Sequence, residues 1–497
     1  MASTSKDGKP ADQNEDWRSA TLRRELFRHA SSLEQLAARL EEAEDYPTET
    51  AVTFCQLIGR TAALVGVRLD SAPVQKLPYI YAILRSMGEH LRFAERSRIE
   101  QTPWSMVQAT EAFLKQHTPK ECCFILRPQW SYNYSIKGAF VETLRACFAS
   151  LGKWMPLSDW EQAVGESGKC RIYCISFPRV ERMNVLMHVN WGHEVGHILA
   201  TDWLTAEFDG LWAQAKDVIQ HRIKMNYENA NRSPQEELLK KIYRDQYVSE
   251  TMKETMELTR SGFKELISDF VGAHLLGPAA LACLGEFSVR FKLDANPCAC
   301  GRYPPWRMRL RTISEVVTKD LVEEDCFAGN SEYRALILPY VRFLQKVRDL
   351  ASENDDVLEI NADIRTLEAY KVIQQNWPAV QEEVLTFLPT ESQAPYQLKQ
   401  NLGVIHELVL RLKQGIPPNE TGTWPDMAPA AIADIWNAAW AYSCLRLEEN
   451  PSWGTPSNFD DLFRLVLKAI EVSYVQTKFG PEIKSISEHE HTQQREN

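Results

Sequence analysis

The chain has 497 residues, of which 44% are hydrophobic and 25% are charged, so it is long enough for two or three domains and is neither disordered nor fibrous in composition. Its formal net charge of −11 argues against nucleic acid as the main partner, although a local basic patch stays compatible with it. Eleven scattered cysteines, the polar N-terminus and the lack of an uncharged apolar stretch of membrane-spanning length predict a reduced, cytoplasmic protein that does not cross a membrane.

Changes in composition and apolar periodicity divide the chain into five predicted segments. They are a flexible tail at 1–16, an N-terminal helical domain at 17–118, a core at 119–320, a C-terminal helical domain at 321–478 and a second flexible tail at 479–497. The predicted fold class is therefore α+β, with helices predominating and a small sheet confined to the core segment.

The core segment opens with the β-like patterns. Residues 122–126 and 131–136 are β-like runs, and residues 171–177 form the clearest strand pattern in the chain. Cys170 and Cys174 lie on one face of that strand, too far apart to bind one metal ion together, so we interpret them as packing residues. The sheet would lie just before the next motif, where its edge could pair with an extended peptide.

The central motif of the chain is His193-Glu194-Val195-Gly196-His197, an HExxH pattern in an apolar segment of helical length. Residues four apart lie on one helix face, so both imidazoles can bind one metal ion, and Glu194 can act as general base toward a water on that ion. Gly192 and Gly196 each cost a helix about 1 kcal/mol relative to Ala, which indicates the close approach of another chain segment.

A zinc site of this kind needs a third protein ligand. The metzincin continuation is excluded because Ala200 and Trp203 occupy the positions where that class has Gly and a metal ligand. Beyond a charged segment at 210–259, which predicts a solvated helical pair, Glu265 can supply the third ligand. Asp269 lies one turn further on and can orient a metal-bound histidine. An exposed pair of carboxylates is the alternative, but the segment is rich in apolar residues: Phe263, Leu266, Ile267, Phe270 and Val271.

HExxH followed by Glu265-Leu266-Ile267-Ser268-Asp269 resembles the gluzincin zinc metallopeptidases, and this second segment is similar to the third-ligand segment of the thermolysin type. Its continuation through 272–278 resembles small intracellular gluzincins that cleave repressor proteins. The resemblance covers at most residues 170–311. It implies a gluzincin-like core, a Zn²⁺ cofactor and peptide hydrolysis.

Tyr303-Pro304-Pro305 with Arg309 resembles a His-Pro-Pro-x-x-x-Arg segment of several gluzincin-like families, with Tyr in place of His. Tyr303 could stabilise an oxyanion, and Arg309 could do the same or pair with Asp269 or another carboxylate. A helix that begins at proline and presents a solvated basic face is the alternative. Cys298 and Cys300 lack two further ligands at the spacing of a structural zinc site.

These patterns predict a zinc-dependent endopeptidase that cleaves a selected cytosolic protein, with His193, His197 and Glu265 on the metal. The alternative is a helical binding or regulatory protein whose zinc site is structural or vestigial. Glu194 separates the two hypotheses, because a structural site has no use for a carboxylate beside an open coordination position.

Overall fold

The structure is a computed structural model. It describes residues 11–43, 45–138, 140–229, 234–290, 293, 303–318, 327, 330–352, 363–422 and 427–496. The chain forms two compact units, one of residues 1–111 and 120–182 and one of residues 112–119 and 183–497. The domain limits expected from the composition stay predictions.

The first unit is a helical bundle with a small sheet. Its elements are α1 (Ala11–Glu41), α2 (Glu49–Arg68), α3 (Leu77–Arg96), α4 (Trp104–Gln116, whose last residues belong to the second unit), β1 (Cys122–Gln129), β2 (Ser135–Lys137), α5 (Phe140–Leu151), α6 (Leu157–Val164) and β3 (Arg171–Pro178). In α1, Leu33, Ala37 and Leu40 lie against this core, whereas Leu36 is exposed.

The sheet has three strands in the order β1-β3-β2, with β1 parallel and β2 antiparallel to β3. The strand predicted at 171–177 is confirmed, but it is the middle strand: β1 pairs with it along its whole length, and β2 pairs with it at Cys174–Ser176. The outer edges of the sheet, where an added peptide strand could pair, belong to β1 and β2 over these residues. Cys174 is buried in the core and Cys170 packs against it, which confirms their interpretation as packing residues.

One described segment, Glu49–Ser71, is long and apolar enough to cross a membrane by length and composition. Half of its apolar window is buried, and Phe54, Leu57 and Ile58 belong to the core of the first unit. This burial is what a core helix of a helical bundle shows.

The second unit contains the remaining helices and one short hairpin. Its elements are α7 (Asn190–Ala206), α8 (Phe208–Asn229), α9 (Pro234–Leu276), α10 (Pro278–Ser288), α11 (Trp306–Val317), α12 (Ser331–Ser352), α13 (Ile364–Leu385), α14 (Leu398–Lys413), β4 (Glu420–Thr421), β5 (Ala428–Pro429), α15 (Ile432–Glu449) and α16 (Pro456–Glu496). The described part of the chain is thus predominantly helical, as the sequence predicts. The backbones of α1 and α16 reach into the segments expected to be tails.

The charged segment at 210–259 does form a helical pair, but its second member does not stop before the predicted third ligand. α9 runs for 43 residues and carries both the charged half and Glu265. α8 packs beside it, with the rings of Tyr227 and Tyr247 4.6 Å apart and Arg244 3.6 Å from Glu228.

A buried asparagine holds the end of α9 in place. α9 ends where Gly277 adopts φ 59°, a left-handed conformation that favours glycine, and Pro278 begins α10. The Asn437 side chain on α15 donates to the Leu276 carbonyl at 2.9 Å and accepts from the Ala279 N–H at 3.0 Å. These bonds satisfy backbone groups that the chain reversal leaves without helical partners.

Of the described cysteines, Cys55, Cys147, Cys170, Cys174 and Cys444 are free thiols. Cys298 and Cys300, for which the sequence gives too few zinc ligands, lie outside the described residues.

Candidate metal centre

Glycines bring the two predicted ligand helices into backbone contact. A Cβ on Gly196 of α7 would lie 2.4 Å from the Ser268 Cα of α9, and a Cβ on Gly192 would lie 3.1 Å from the Gly272 Cα. The first distance is shorter than real Cβ atoms show, and the second is tighter than most real Cβ contacts. The close approach predicted from the two glycines is confirmed, and it places the HExxH face directly against the segment that carries Glu265.

The three predicted metal ligands converge. The Nε2 atoms of His193 and His197 lie 3.7 Å and 3.8 Å from the two carboxylate oxygens of Glu265. These separations exceed hydrogen-bonding distance, so the groups face one another without bonding. Two donors that each lie about 2.0–2.2 Å from a tetrahedral ion are about 3.3–3.6 Å apart, so the observed spacing is within a few tenths of an ångström of a zinc site.

Outer hydrogen bonds select the ring nitrogen that faces this point. The Nδ1 of His193 lies 2.8 Å from an Asp269 oxygen, and the Nδ1 of His197 lies 2.8 Å from the Ser268 hydroxyl. That hydroxyl donates to the Lys264 carbonyl at 2.7 Å, so it accepts from His197. Both imidazoles therefore carry their proton on Nδ1 and leave the Nε2 lone pair for a metal, the arrangement that stabilises zinc-bound histidines.

Arg309 on α11 fixes the position of Asp269. Its Nε and one terminal nitrogen donate to the two Asp269 oxygens at 2.7 Å and 2.8 Å, and the same terminal nitrogen lies 3.6 Å from Glu265. Burial alone would raise the pKa of Asp269, but the Arg309 charge and hydrogen bonds outweigh burial and lower this pKa to about 2. Of the two alternatives for Arg309, the structure contains the pairing with Asp269.

The two histidines respond differently to burial. Burial lowers the pKa of His197 well below its ordinary value, and the neighbouring charge of His193 lowers it further. Burial also lowers the pKa of His193, but the hydrogen bond and charge of Asp269 outweigh this effect and raise it overall. The Asp269 carboxylate thus makes the His193 imidazole a stronger electron-pair donor to a metal, as outer carboxylates do for metal-binding histidines.

Glu194 is a buried carboxylate beside the predicted metal ligands. Among the described residues, its Oε2 has no hydrogen-bond partner. Burial raises the pKa of Glu194, the charge of His193 opposes this rise and the charge of Glu265 adds to it, with the result that this pKa is about 7. A buried carboxylate oxygen without a partner is costly, and such groups concentrate at functional sites.

Tyr303 precedes α11, and its side chain is 37% exposed. Its backbone carbonyl accepts a hydrogen bond from the Tyr370 hydroxyl at 3.0 Å. Burial lowers the pKa of Arg309, but the charge and hydrogen bonds of Asp269 outweigh burial and raise this pKa, with smaller contributions from Glu265 and the Tyr303 phenol. An oxyanion role for Tyr303 stays a prediction.

Sequence reasoning missed one member of the site. The Ser268 hydroxyl accepts from His197, and the Ser268 backbone packs against Gly196, which has no side chain to prevent it. The signal in the sequence was spacing: Ser268 follows Glu265 by three residues and so lies on the same helix face. Glu265 and Asp269 are 8% and 2% exposed, which confirms the buried carboxylates inferred from their apolar neighbours.

Comparisons of the chain with protein-family models, with curated proteins and with solved structures find no match.

Proposed function

We propose that the chain is a zinc-dependent endopeptidase with a gluzincin-like core, and that it hydrolyses peptide bonds of a selected protein substrate in the cytoplasm. The observation that carries the proposal is the convergence of two imidazole Nε2 atoms and one carboxylate beside a buried, partnerless glutamate oxygen. Two His and one Glu are the donor set of catalytic zinc in peptidases, and three protein ligands leave a coordination position open.

The donor set fits zinc better than the harder cations. Imidazole suits Zn²⁺, whereas Ca²⁺ and Mg²⁺ require mainly oxygen ligands, and here two of the three donors are nitrogens. His193, His197 and Glu265 would hold the ion. When bound, zinc supplies a Lewis acid that polarises the scissile carbonyl and makes water a better nucleophile.

Glu194 moves the proton. Its free Oε2 accepts a proton as the water oxygen attacks the peptide carbonyl carbon, and the same carboxyl then delivers that proton to the leaving amine nitrogen when the C–N bond breaks. Its pKa of about 7 suits both steps near neutral pH. Asp269 and Arg309 keep the His193 ring oriented and take no part in the proton transfer.

The decisive experiment replaces Glu194 with Gln. The variant keeps the size and polarity of the side chain, so zinc content and thermal stability should stay close to wild type. Peptide hydrolysis should fall by about 10²–10⁴-fold, the usual effect of removing a general base. Glu207→Gln, an exposed glutamate at the end of the same helix, is the matched control and should retain full activity.

The same variant can also exclude an enzymatic function. A binding or regulatory protein with a structural zinc would keep its biological effect intact in Glu194→Gln, because the three ligands remain. Full biological effect in a zinc-loaded Glu194→Gln protein would refute the peptidase proposal.

A further inference from the structure

The first unit contains a cavity that the metal centre does not involve. It has a volume of about 220 Å³ and lies between α3 and one face of the three-stranded sheet. Its lining is strongly basic and consists of Glu89, His90, Arg92, Phe93, Arg96, Arg127 and Lys137. We call it the α3–sheet pocket. A volume of this size exceeds the roughly 30 Å³ of one water molecule several-fold, so a polyatomic ion fits.

The sheet register places two of the cations on one face. Arg127 on β1 pairs with Ser176 of the middle strand, and Lys137 on β2 pairs with Cys174, two residues away on that strand. Side chains two residues apart on a strand point to the same side, so Arg127 and Lys137 approach the pocket from opposite edges of the sheet. Phe93 of α3 lies between them, with Arg127 4.0 Å and Lys137 5.7 Å from its ring centre.

These cations have no acidic partners among the described residues. Arg96, Arg127 and Lys137 form no ion pair there. Glu89 is the one acidic side chain among the described residues that line the pocket. Its carboxylate forms an ion pair with Arg85, whose Nε lies 3.1 Å from the Glu89 Oε1. The pocket therefore concentrates positive charge in a chain whose net charge is −11.

The contact with Phe93 alone does not explain why the Arg127 guanidinium is buried. Arg127 is 7% exposed, and its Nε is buried without a hydrogen-bond partner in the described part of the chain. Buried guanidinium groups in proteins are paired with anions or fully hydrogen-bonded, because the loss of hydration is otherwise uncompensated. Ser176, its register neighbour, also has a buried hydroxyl without an oxygen or nitrogen partner among the described residues. The Cys174 thiol is within reach of both groups, but sulfur is a weak acceptor, so neither buried donor has a strong acceptor there.

We propose that the α3–sheet pocket binds a phosphate-class anion, either inorganic phosphate or the phosphate group of a small monoester. The planar Arg127 fork offers parallel N–H donors that match phosphate oxygens, while Arg96 and Lys137 close the site as point charges from α3 and β2. A dianion satisfies more than one of these cations at once, which favours phosphate over a monovalent anion.

A second cavity shares a wall with the pocket. Arg96 lines both, and the neighbouring cavity of about 350 Å³ also includes the exposed indole of Trp130, with the Arg179 guanidinium 4.8 Å from its ring centre. An aromatic or sugar group attached to the phosphate could occupy this second cavity and stack on Trp130. The chemistry of phosphate recognition is the same for the free ion and for such an ester.

The experiment is a calorimetric titration of the full-length protein at low ionic strength, first with inorganic phosphate and then with adenosine 5′-monophosphate. Wild type should bind one equivalent. Lys137→Gln and Arg96→Gln should each weaken binding by about tenfold or more, the usual effect of losing one charge-assisted contact. Lys153→Gln removes the same charge from an exposed site of the same unit and should leave the affinity unchanged. Lys137 and Arg96 are exposed, so these variants should fold even if Arg127→Met does not.

The two arms separate the sources of the phosphate. Tighter binding of the nucleotide that is lost in Trp130→Ala identifies an ester, and equal affinities for both ligands identify the free ion. The proposal is overturned if neither ligand binds saturably to wild type at millimolar concentration. It is equally overturned if Lys137→Gln and Arg96→Gln bind as tightly as Lys153→Gln.

Discussion

Replacing Gly196 with Ala tests whether the helix contact builds the metal centre. The added Cβ would lie 2.4 Å from the Ser268 Cα and 2.7 Å from its carbonyl oxygen, whereas ordinary contacts are 3.4–4 Å. The neighbour is backbone and cannot rotate away, so α7 and α9 must separate by about 1 Å. Overpacking of this kind costs about 1–3 kcal/mol. Ala gains about 1 kcal/mol over Gly in a helix, which leaves a net destabilisation of about 0–2 kcal/mol, or about 1–3 kcal/mol relative to a Gly→Ala change that meets no neighbour.

The same displacement should weaken zinc binding. A shift of about 1 Å would lengthen the 2.8 Å contact between His197 and Ser268 beyond hydrogen-bonding distance, and losses of this type cost about 10–100-fold in metal affinity. Urea unfolding and a competitive zinc titration measure the two effects. Gly210→Ala on α8, where a Cβ meets nothing within 4 Å, is the control and should be neutral or stabilising. If Gly196→Ala matches Gly210→Ala in both assays, the close contact does not shape the site.

Three further outcomes are expected. Purified protein should hold about one zinc per chain, and elemental analysis of the His193→Ala, His197→Ala double variant should find the zinc lost; retention of full metal would place the site elsewhere. Asp269→Ala should weaken zinc binding or activity by about 10–100-fold, and Ser268→Ala should also weaken zinc binding, whereas wild-type affinity and activity in Asp269→Ala would remove that residue from the site. Generic unfolded proteins such as casein should be poor substrates for a protease of a selected protein, so rapid digestion of casein by the purified protein would contradict that selectivity.

The parts of the site that the sequence predicts are those governed by helical periodicity. His193 and His197 follow from a spacing of four, and Glu265 and Asp269 follow from the same spacing combined with apolar neighbours that imply burial. Gly196 could be linked to a close contact because glycine inside a helix has a known cost.

What the sequence could not give was which residues meet across elements. Periodicity placed Ser268 on the face of Glu265 but did not show that its hydroxyl reaches His197, 71 positions away. Arg309 had two chemically acceptable partners, and only the packing of α11 against α9 selects Asp269. The strand at 171–177 was predictable from its composition, but its central position was not, because strand order depends on pairing between distant segments.

Because α9 is 43 residues long, it couples metal binding to the position of the α8–α9 hairpin. The helix is about 65 Å long, and it carries the third ligand on the same rigid rod that forms the α8–α9 hairpin. Any ion that binds Glu265 together with the α7 histidines stabilises the arrangement in which this rod lies against α7, and by mass action it shifts the hairpin toward its docked state. The coupling is reciprocal. If metal binding raises the affinity of the charged half of the hairpin for another molecule, that molecule must raise the metal affinity by the same factor, without contacting the metal ligands. Metal affinity would then serve as a readout of occupancy at a surface several nanometres away.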